Sequence, residues 1–269
     1  MDRRDTLRRL LATGAAGAGL VHAPLQAAGC RSESPAGTVA LVELFTSEGC
    51  SSCPPADRWL SRVSAGDPAR IAPLSLHVRY WDHIGWKDPF AQTAFGERQR
   101  WLTAAGGGRT VYTPGVYLAG REWRGWDDPV ALERRLAELQ RRPAGARIAI
   151  AVDGPADAPV LKVSAALAPG ATARRPALYV ALTRSGLQSA VDAGENRGAT
   201  LRHDHVALRL DGPLALDAEG RAAYSAPLAA TGGAPARFGV TAFVQDLADA
   251  GIVQAWSMAL PARCVRAAA

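Results

Sequence analysis

Lysine is nearly missing from this 269-residue chain: among 31 basic residues only Lys87 and Lys162 are not arginine. No dense basic stripe interleaves with aromatic residues, so nucleic-acid binding has little support and the arginine bias reads as compositional. The net charge of +6 is unevenly placed. Four arginines against two aspartates in the first nine residues account for +2 and leave a modest +4 for the rest. Methionine-rich and histidine-rich tracts are absent, which argues against a dedicated soft-metal store. After the leader no segment is long and apolar enough to span a membrane, so no membrane-crossing helix is expected. No internal repeat is present. An apolar content of 48% is ordinary for a folded globular chain.

What is there begins with an address. Arg3-Arg4-Asp5-Thr6-Leu7 has the twin-arginine pattern, and Leu10 to Val21 follows as a short, mildly apolar, Ala/Gly-rich run. Residues 1–29 read as a cleaved twin-arginine export signal, which places the protein in the periplasm or outside the cell. Leu25-Gln26-Ala27-Ala28-Gly29-Cys30 also hints at a lipoprotein signal, with Gln26 and Ala27 fitting it poorly. An exported chain with four cysteines can use two for structure and two for chemistry. Cys30 and Cys264 stand at opposite ends and can bridge the termini. In the competing reading Cys30 carries a lipid anchor or is removed, and Cys264 is left free.

Residues 36–143 read as alternating strands and helices. Thr38 to Phe45 is a near-continuous apolar run, as in buried central strands, and Ile71 to Val78 is a second strand. Pro54 and Pro55 fit the first turn of a helix that carries Trp59, Leu60 and Val63. A longer helix is expected from Pro89, with Ala91, Phe95, Leu102 and Ala105 on one face and Gly106-Gly107-Gly108 as its stop. Strands follow at Gly115 to Leu118 and Glu122 to Arg124. The last helix has Asp127 and Asp128 at its start, Pro129 in its first turn and Leu132, Leu136 and Leu139 on its buried face. Residues 147–262 change to an alternating pattern with Gly-, Pro- and Asp-rich turns, which reads as a β-sandwich-like domain. The Ala/Gly-rich stretch from Ala229 to Ala236 reads as a flexible connection.

The chemistry concentrates at Cys50-Ser51-Ser52-Cys53, where the first apolar run hands over to a helix. Two thiols at this spacing form a dithiol/disulfide pair, and the positive helix end favours thiolate at Cys50. Ser51 and Ser52 offer donors toward its sulfur, while Glu48 opposes the thiolate if it points inward. The element order, with Thr113-Pro114 before the penultimate strand, is the thioredoxin order. The resemblance implies a cis peptide bond at Pro114, facing the dithiol and orienting an incoming chain.

The resemblance extends further. Glu43-Leu44-Phe45-Thr46-Ser47-Glu48-Gly49-Cys50-Ser51-Ser52-Cys53-Pro54-Pro55-Ala56-Asp57 is similar to the signature of the exported thioredoxin-like family catalogued as domain of unknown function 1223. His77 to Asp82, Gly85 to Phe90, Glu97 to Arg100 and Val111 to Pro114 match as well, as do Gly194 to Gly198, Leu201 to His203 and Phe243 to Asp246. Arg79 departs from the family, where an acidic residue is expected. The resemblance implies an α/β thioredoxin-like domain and an exported location, and it names no substrate.

From these residues the expected function is thiol-disulfide exchange, with protein or small-molecule thiols and disulfides as partners. Cys50 attacks, Cys53 resolves and Pro114 orients the substrate, with Glu48, Ser51, Ser52, Thr113, Trp81 and Trp86 in support. The chemistry needs neither an organic cofactor nor a metal. Two rivals stand beside it. One is a redox-inert binding or scaffold protein in which Cys50–Cys53 is a structural disulfide; the other is a Cu(I) handler using the two thiolates. Tyr80, Trp81, Trp86, Trp123 and Trp126 read as core bulk or as an apolar groove beside the dithiol. His203 and His205 alternate on one strand, a pattern more often found on a solvated sheet face than at a metal. Glu195-Asn196 reads as a turn or as a contact to the first half.

Overall fold

The computed structural model describes residues 30–155, 158–228, 237–261 and 264; the export leader and the Ala229–Ala236 connection expected from the sequence lie outside them. The described chain starts with a short strand, β1 (Arg31–Glu33), and continues into β2 (Ala40–Thr46), every residue of which is buried. The continuous apolar run makes sense because both faces of β2 are covered. Leu41 and Phe45 point into one core, Val42 and Leu44 into another. Full burial of each such side chain supplies about 1.5–3 kcal/mol.

Helix α1 (Pro54–Val63) follows the Cys-x-x-Cys turn. Its proline start leaves no side-chain cap, and Ala56, Trp59 and Leu60 form its inner face. Strand β3 (Ile71–His77), also wholly buried, runs parallel to β2. The chain then makes a short 3-10 helix (Arg79–Ile84) before α2 (Thr93–Ala105), so the helix expected from Pro89 begins four residues later. Strands β4 (Gly115–Leu118) and β5 (Arg121–Glu122) lead to α3 (Pro129–Gln140). The Asp128 side chain accepts from the backbone N–H groups of Val130 and Ala131, which caps α3 and satisfies two of its open donors.

Nine strands follow among the described residues: β6 (Ala146–Asp153), β7 (Val160–Leu167), β8 (Pro176–Ser185), β9 (Leu187–Ala190), β10 (Thr200–His203), β11 (Val206–Ala215), β12 (Arg221–Pro227), β13 (Arg237–Asp246) and β14 (Ile252–Leu260). One eight-stranded sheet has the order β14-β13-β8-β11-β3-β2-β4-β5, and a four-stranded sheet has the order β1-β6-β7-β12. Strands β9 and β10 pair as a separate hairpin.

This arrangement corrects the expected fold class. The chain is mostly β, and it is not an α/β thioredoxin-like domain followed by an all-β sandwich-like domain. The edge of β3 that a free-standing domain would leave open is taken by β11 from the second half, through Val206 opposite Ser75 and the Ser75 N–H bond to the His205 carbonyl. The four-stranded sheet in turn begins with β1, from before β2. Ile148, Ile150, Leu161 and Val163 of that sheet share one core with Leu178, Val180, Val240 and Phe243 of the eight-stranded sheet. A smaller core of Val42, Leu44, Trp59, Leu60, Leu132 and Leu136 lies on the other side of β2, under α1 and α3. Local patterning reveals that a strand is buried on both faces; it does not reveal which strand lies beside it.

Candidate functional site

The site forms where β2 ends. A tight turn closes on the Cys50 N–H bond to the Ser47 carbonyl and the Cys53 N–H bond to the Cys50 carbonyl, and α1 begins at once. Cys50 and Cys53 form a disulfide with Cα atoms 5.5 Å apart. The Ser52 hydroxyl lies 3.3 Å from Cys50 Sγ, and the Thr113 carbonyl oxygen lies 3.8 Å from the same sulfur. The Thr113–Pro114 peptide is cis. Trp81 Nε1 donates to Thr113 Oγ1 at 2.7 Å and fixes that residue against the 3-10 helix. Cys50, Cys53, Ser52, Thr113, Pro114 and Trp81 are thus brought to one place.

An open dithiol is not what the structure shows. Cys50 and Cys53 are 0% exposed, although their neighbours Ser51 and Ser52 lie at the surface. The turn between β9 and β10 sits against this loop. Asn196 Nδ2 donates to the carbonyls of Glu48 at 2.8 Å and Cys50 at 2.9 Å. The Ser51 N–H donates to Glu195 Oε2 at 2.8 Å. Gly194 enters this turn at φ +73°, and a Cβ there would stand 3.3 Å from both Ile84 and Trp86, so the turn packs tightly on the end of the 3-10 helix and the segment after it. Glu195-Asn196 is therefore a contact to the first half.

Beneath the turn lies a buried polar cluster that sequence patterning did not reveal. Glu48 points inward and is held by two side-chain partners. Its Oε1 lies 2.9 Å from His203 Nε2, and its Oε2 accepts from Trp86 Nε1 at 2.8 Å. Its backbone N–H donates to Asp88 Oδ2, which also meets His77 Nδ1 at 2.7 Å. The His77 and His203 rings pack edge to face with centroids 4.9 Å apart. Burial alone would pull the His77 imidazole down, but the Asp88 carboxylate outweighs it and holds His77 above its ordinary range. Burial likewise pushes Asp88 upward; the facing His77, with the donors it accepts from, holds it below the usual carboxylate range. Asp57, one turn after Cys53, accepts from Thr46 Oγ1, and burial raises its acid group. The signal that could have exposed this cluster is a charged or imidazole side chain at the end of a wholly apolar strand: His77 closes β3 and needs a partner inside.

Other candidates separate. His203 is buried against Glu48, whereas His205 stands outside the strand at φ +56° with Nε2 2.8 Å from Ser64 Oγ. The two do not share a face, and among the described residues no group of three His, Cys, Asp or Glu side chains is placed to hold a metal ion. Trp123 and Trp126 pack with Trp59 in the smaller core, away from the cysteines. Arg79 is an exposed residue paired with Asp82 at 3.5 Å. A surface hollow of about 860 Å³ lies on the four-stranded sheet, among Glu33, Arg147, Ser164 and Arg221, and does not reach the cysteines. Cys30 and Cys264 form a second disulfide with Cα atoms 5.8 Å apart.

A family model described as a protein of unknown function (DUF1223) matches residues 41–245. The chain belongs to the DUF1223 family. The DUF1223 match takes in the disulfide turn, Thr113-Pro114, the covering turn and His203, and leaves Cys30 and Cys264 outside it. Among solved structures, the chain resembles a protein from Agrobacterium tumefaciens determined by X-ray crystallography. The two are 25% identical with a TM-score of 0.63, over 84% of this chain and 96% of that one. HBP35 of Porphyromonas gingivalis is 16% identical with a TM-score of 0.63, over 84% of this chain and 76% of that one; this likeness concerns the fold alone. No curated protein matches.

Proposed function

We propose that this chain is a thiol-disulfide exchange protein that rests oxidised, with its reactive pair under a cover, in an oxidising compartment outside the cytoplasm. In its reduced form the Cys50 thiolate attacks a partner disulfide and Cys53 resolves the mixed disulfide, while Thr113-Pro114 flanks the attacking sulfur. The observation that carries the reading is the position of Cys50 Sγ, between the surface-exposed Ser52 and the carbonyl of Thr113.

Magnitudes favour chemistry over stapling. A disulfide stabilises by closing a loop, and the four-residue loop at Cys50–Cys53 is worth only about 2 kcal/mol on the chain-entropy account. The Cys30–Cys264 bridge spans 234 residues and on the same account reaches about 5 kcal/mol. The chain already has its staple elsewhere, and that bridge suits an exported protein.

One observation favours a second reading. Both sulfurs are wholly buried, as in a redox-inert structural disulfide. The test is reduction of the native protein by dithiothreitol, with free thiols counted by alkylation and mass spectrometry. Exchange predicts that Cys50 and Cys53 are reduced while the fold persists, and that Cys50→Ser abolishes exchange with a model dithiol. A pair that yields only on unfolding leaves the inert reading standing and removes the proposed one.

A further inference from the structure

Two residues of the β9–β10 turn that bond to the disulfide loop present a defined pair of functional groups. Glu195 brings a carboxylate to the Ser51 N–H, beside the sulfur that reacts. Asn196 brings amide donors to the Glu48 and Cys50 carbonyls. The Glu195 side chain is exposed, and the Ser51 backbone donor holds its acid group below the ordinary carboxylate range. The contact joins residues 144 positions apart, so it is not a by-product of local turn geometry. Among the described residues, the other hydrogen bonds from the turn to the disulfide loop are the two from Asn196. An incoming group that meets the same Ser51 donor has few bonds to displace.

Resting on the exchange reading above, we infer that the Glu195–Asn196 turn is a displaceable cover that occupies the partner's place, and that the partner is a thiol carrying a carboxylate near its sulfur. The partner's carboxylate takes the Ser51 N–H from Glu195, and its thiolate attacks Cys50 Sγ. The Cys50–Cys53 bond breaks as the bond from the partner sulfur to Cys50 forms. Cys53 leaves with the electron pair and takes a proton from the solvent that the opened cover admits. A second partner thiolate attacks the partner sulfur of the mixed disulfide and releases Cys50 as thiolate. Two partner thiolates are thereby oxidised to one disulfide, and the Cys50–Cys53 disulfide is reduced to a Cys50 thiolate and a Cys53 thiol. The reverse sequence oxidises the protein.

The test compares reduction of the oxidised, full-length protein by 3-mercaptopropionate, 2-mercaptoethanol and cysteamine. Thiolate concentrations are matched, and high ionic strength screens the chain's net positive charge. The wild type is expected to react fastest with 3-mercaptopropionate and slowest with cysteamine, with a factor of about five between the carboxylate and the neutral thiol, the effect of one net hydrogen bond. Glu195→Ala/Asn196→Ala should react faster with all three thiols and keep the carboxylate preference, because Ser51 is untouched. Glu195→Gln should give a smaller acceleration and serves if the double variant does not fold, as read by its melting transition. Equal rates with all three thiols overturn the carboxylate inference and leave the exchange reading intact. Folded variants no faster than wild type overturn the cover. A pair that none of the three thiols reduces, in any folded form, overturns the exchange reading itself and this inference with it.

Discussion

Arg98 grips Glu43 with two hydrogen bonds, Nε to Oε1 at 2.5 Å and Nη2 to Oε2 at 3.1 Å, and neither side chain is more than 6% exposed. The same guanidinium donates to Gln245 Oε1 at 3.0 Å and lies about 5 Å from the ring centres of Tyr179 and Phe243. It therefore ties α2 and β2 to β8 and β13, across the two halves of the chain. Arg98→Ala is expected to cost about 3–5 kcal/mol, because it leaves the Glu43 carboxylate buried without a counter-charge. Arg98→Met/Glu43→Gln should cost less than either single change. Urea denaturation measures both. A single-variant loss under about 1 kcal/mol would place the pair with surface ion pairs in energetic terms.

Trp86→Phe keeps a ring beside the covering turn and removes the N–H that Glu48 accepts. A hydrogen bond to a charged group is worth about 1.5–3 kcal/mol. The variant should lose stability by that order in chemical denaturation. It should also open the cover more often, which pulse alkylation after mild reduction detects as faster labelling of Cys50. Unchanged stability and labelling would mean that Trp86 only fills space.

Asp57→Asn tests the buried acid below the disulfide. Burial raises the Asp57 acid group above its ordinary value of 3.8, so the folded chain holds a proton there more firmly than the unfolded chain. Ionising Asp57 in the folded state therefore opposes folding. The cost is absent below pH 3.8 and grows as pH rises toward the raised value. The asparagine variant, which can still accept from Thr46, should melt above wild type at pH 7, and the gap should close below pH 3.8. A gap that does not change with pH would assign it to packing.

Cys264→Ser removes the bridge to Cys30 and frees the unfolded chain. The expected loss is up to about 5 kcal/mol for a closed loop of this length. Cys30→Ser should lose the same amount, and the double variant no more than either single. Denaturation midpoints of the three proteins check this. Additive losses would show that the two sulfurs act separately.

Much of the site's covalent framework was legible in the sequence because it is local. The Cys50–Cys53 turn follows a strand, Pro129 follows its capping Asp128, and Leu132, Leu136 and Leu139 repeat at helical spacing on the buried face of α3. Pro114 sits where a cis bond was expected. The cover and the buried cluster were not legible as geometry. His203 meets Glu48 across 155 residues, and nothing in either segment names the other. What the sequence does carry is an anomaly: Glu43 and His77 sit within wholly buried strands, and charge in such places requires a partner. The fold class was misread for a related reason. The change at residue 147 from helical to alternating spacing marks a change of element type, whereas the docking of β11 on β3 rests on one facing pair, Val206 opposite Ser75. No period in the sequence encodes so narrow a join.

The pairing of β1 with β6 sets an order of events during synthesis. Arg31 faces Ala151, and Cys30 bonds to Cys264, 234 residues further on. The opening segment has no lasting place until most of the chain has left the ribosome, and its sulfur waits longer still. Such distant pairings make for slow, late assembly.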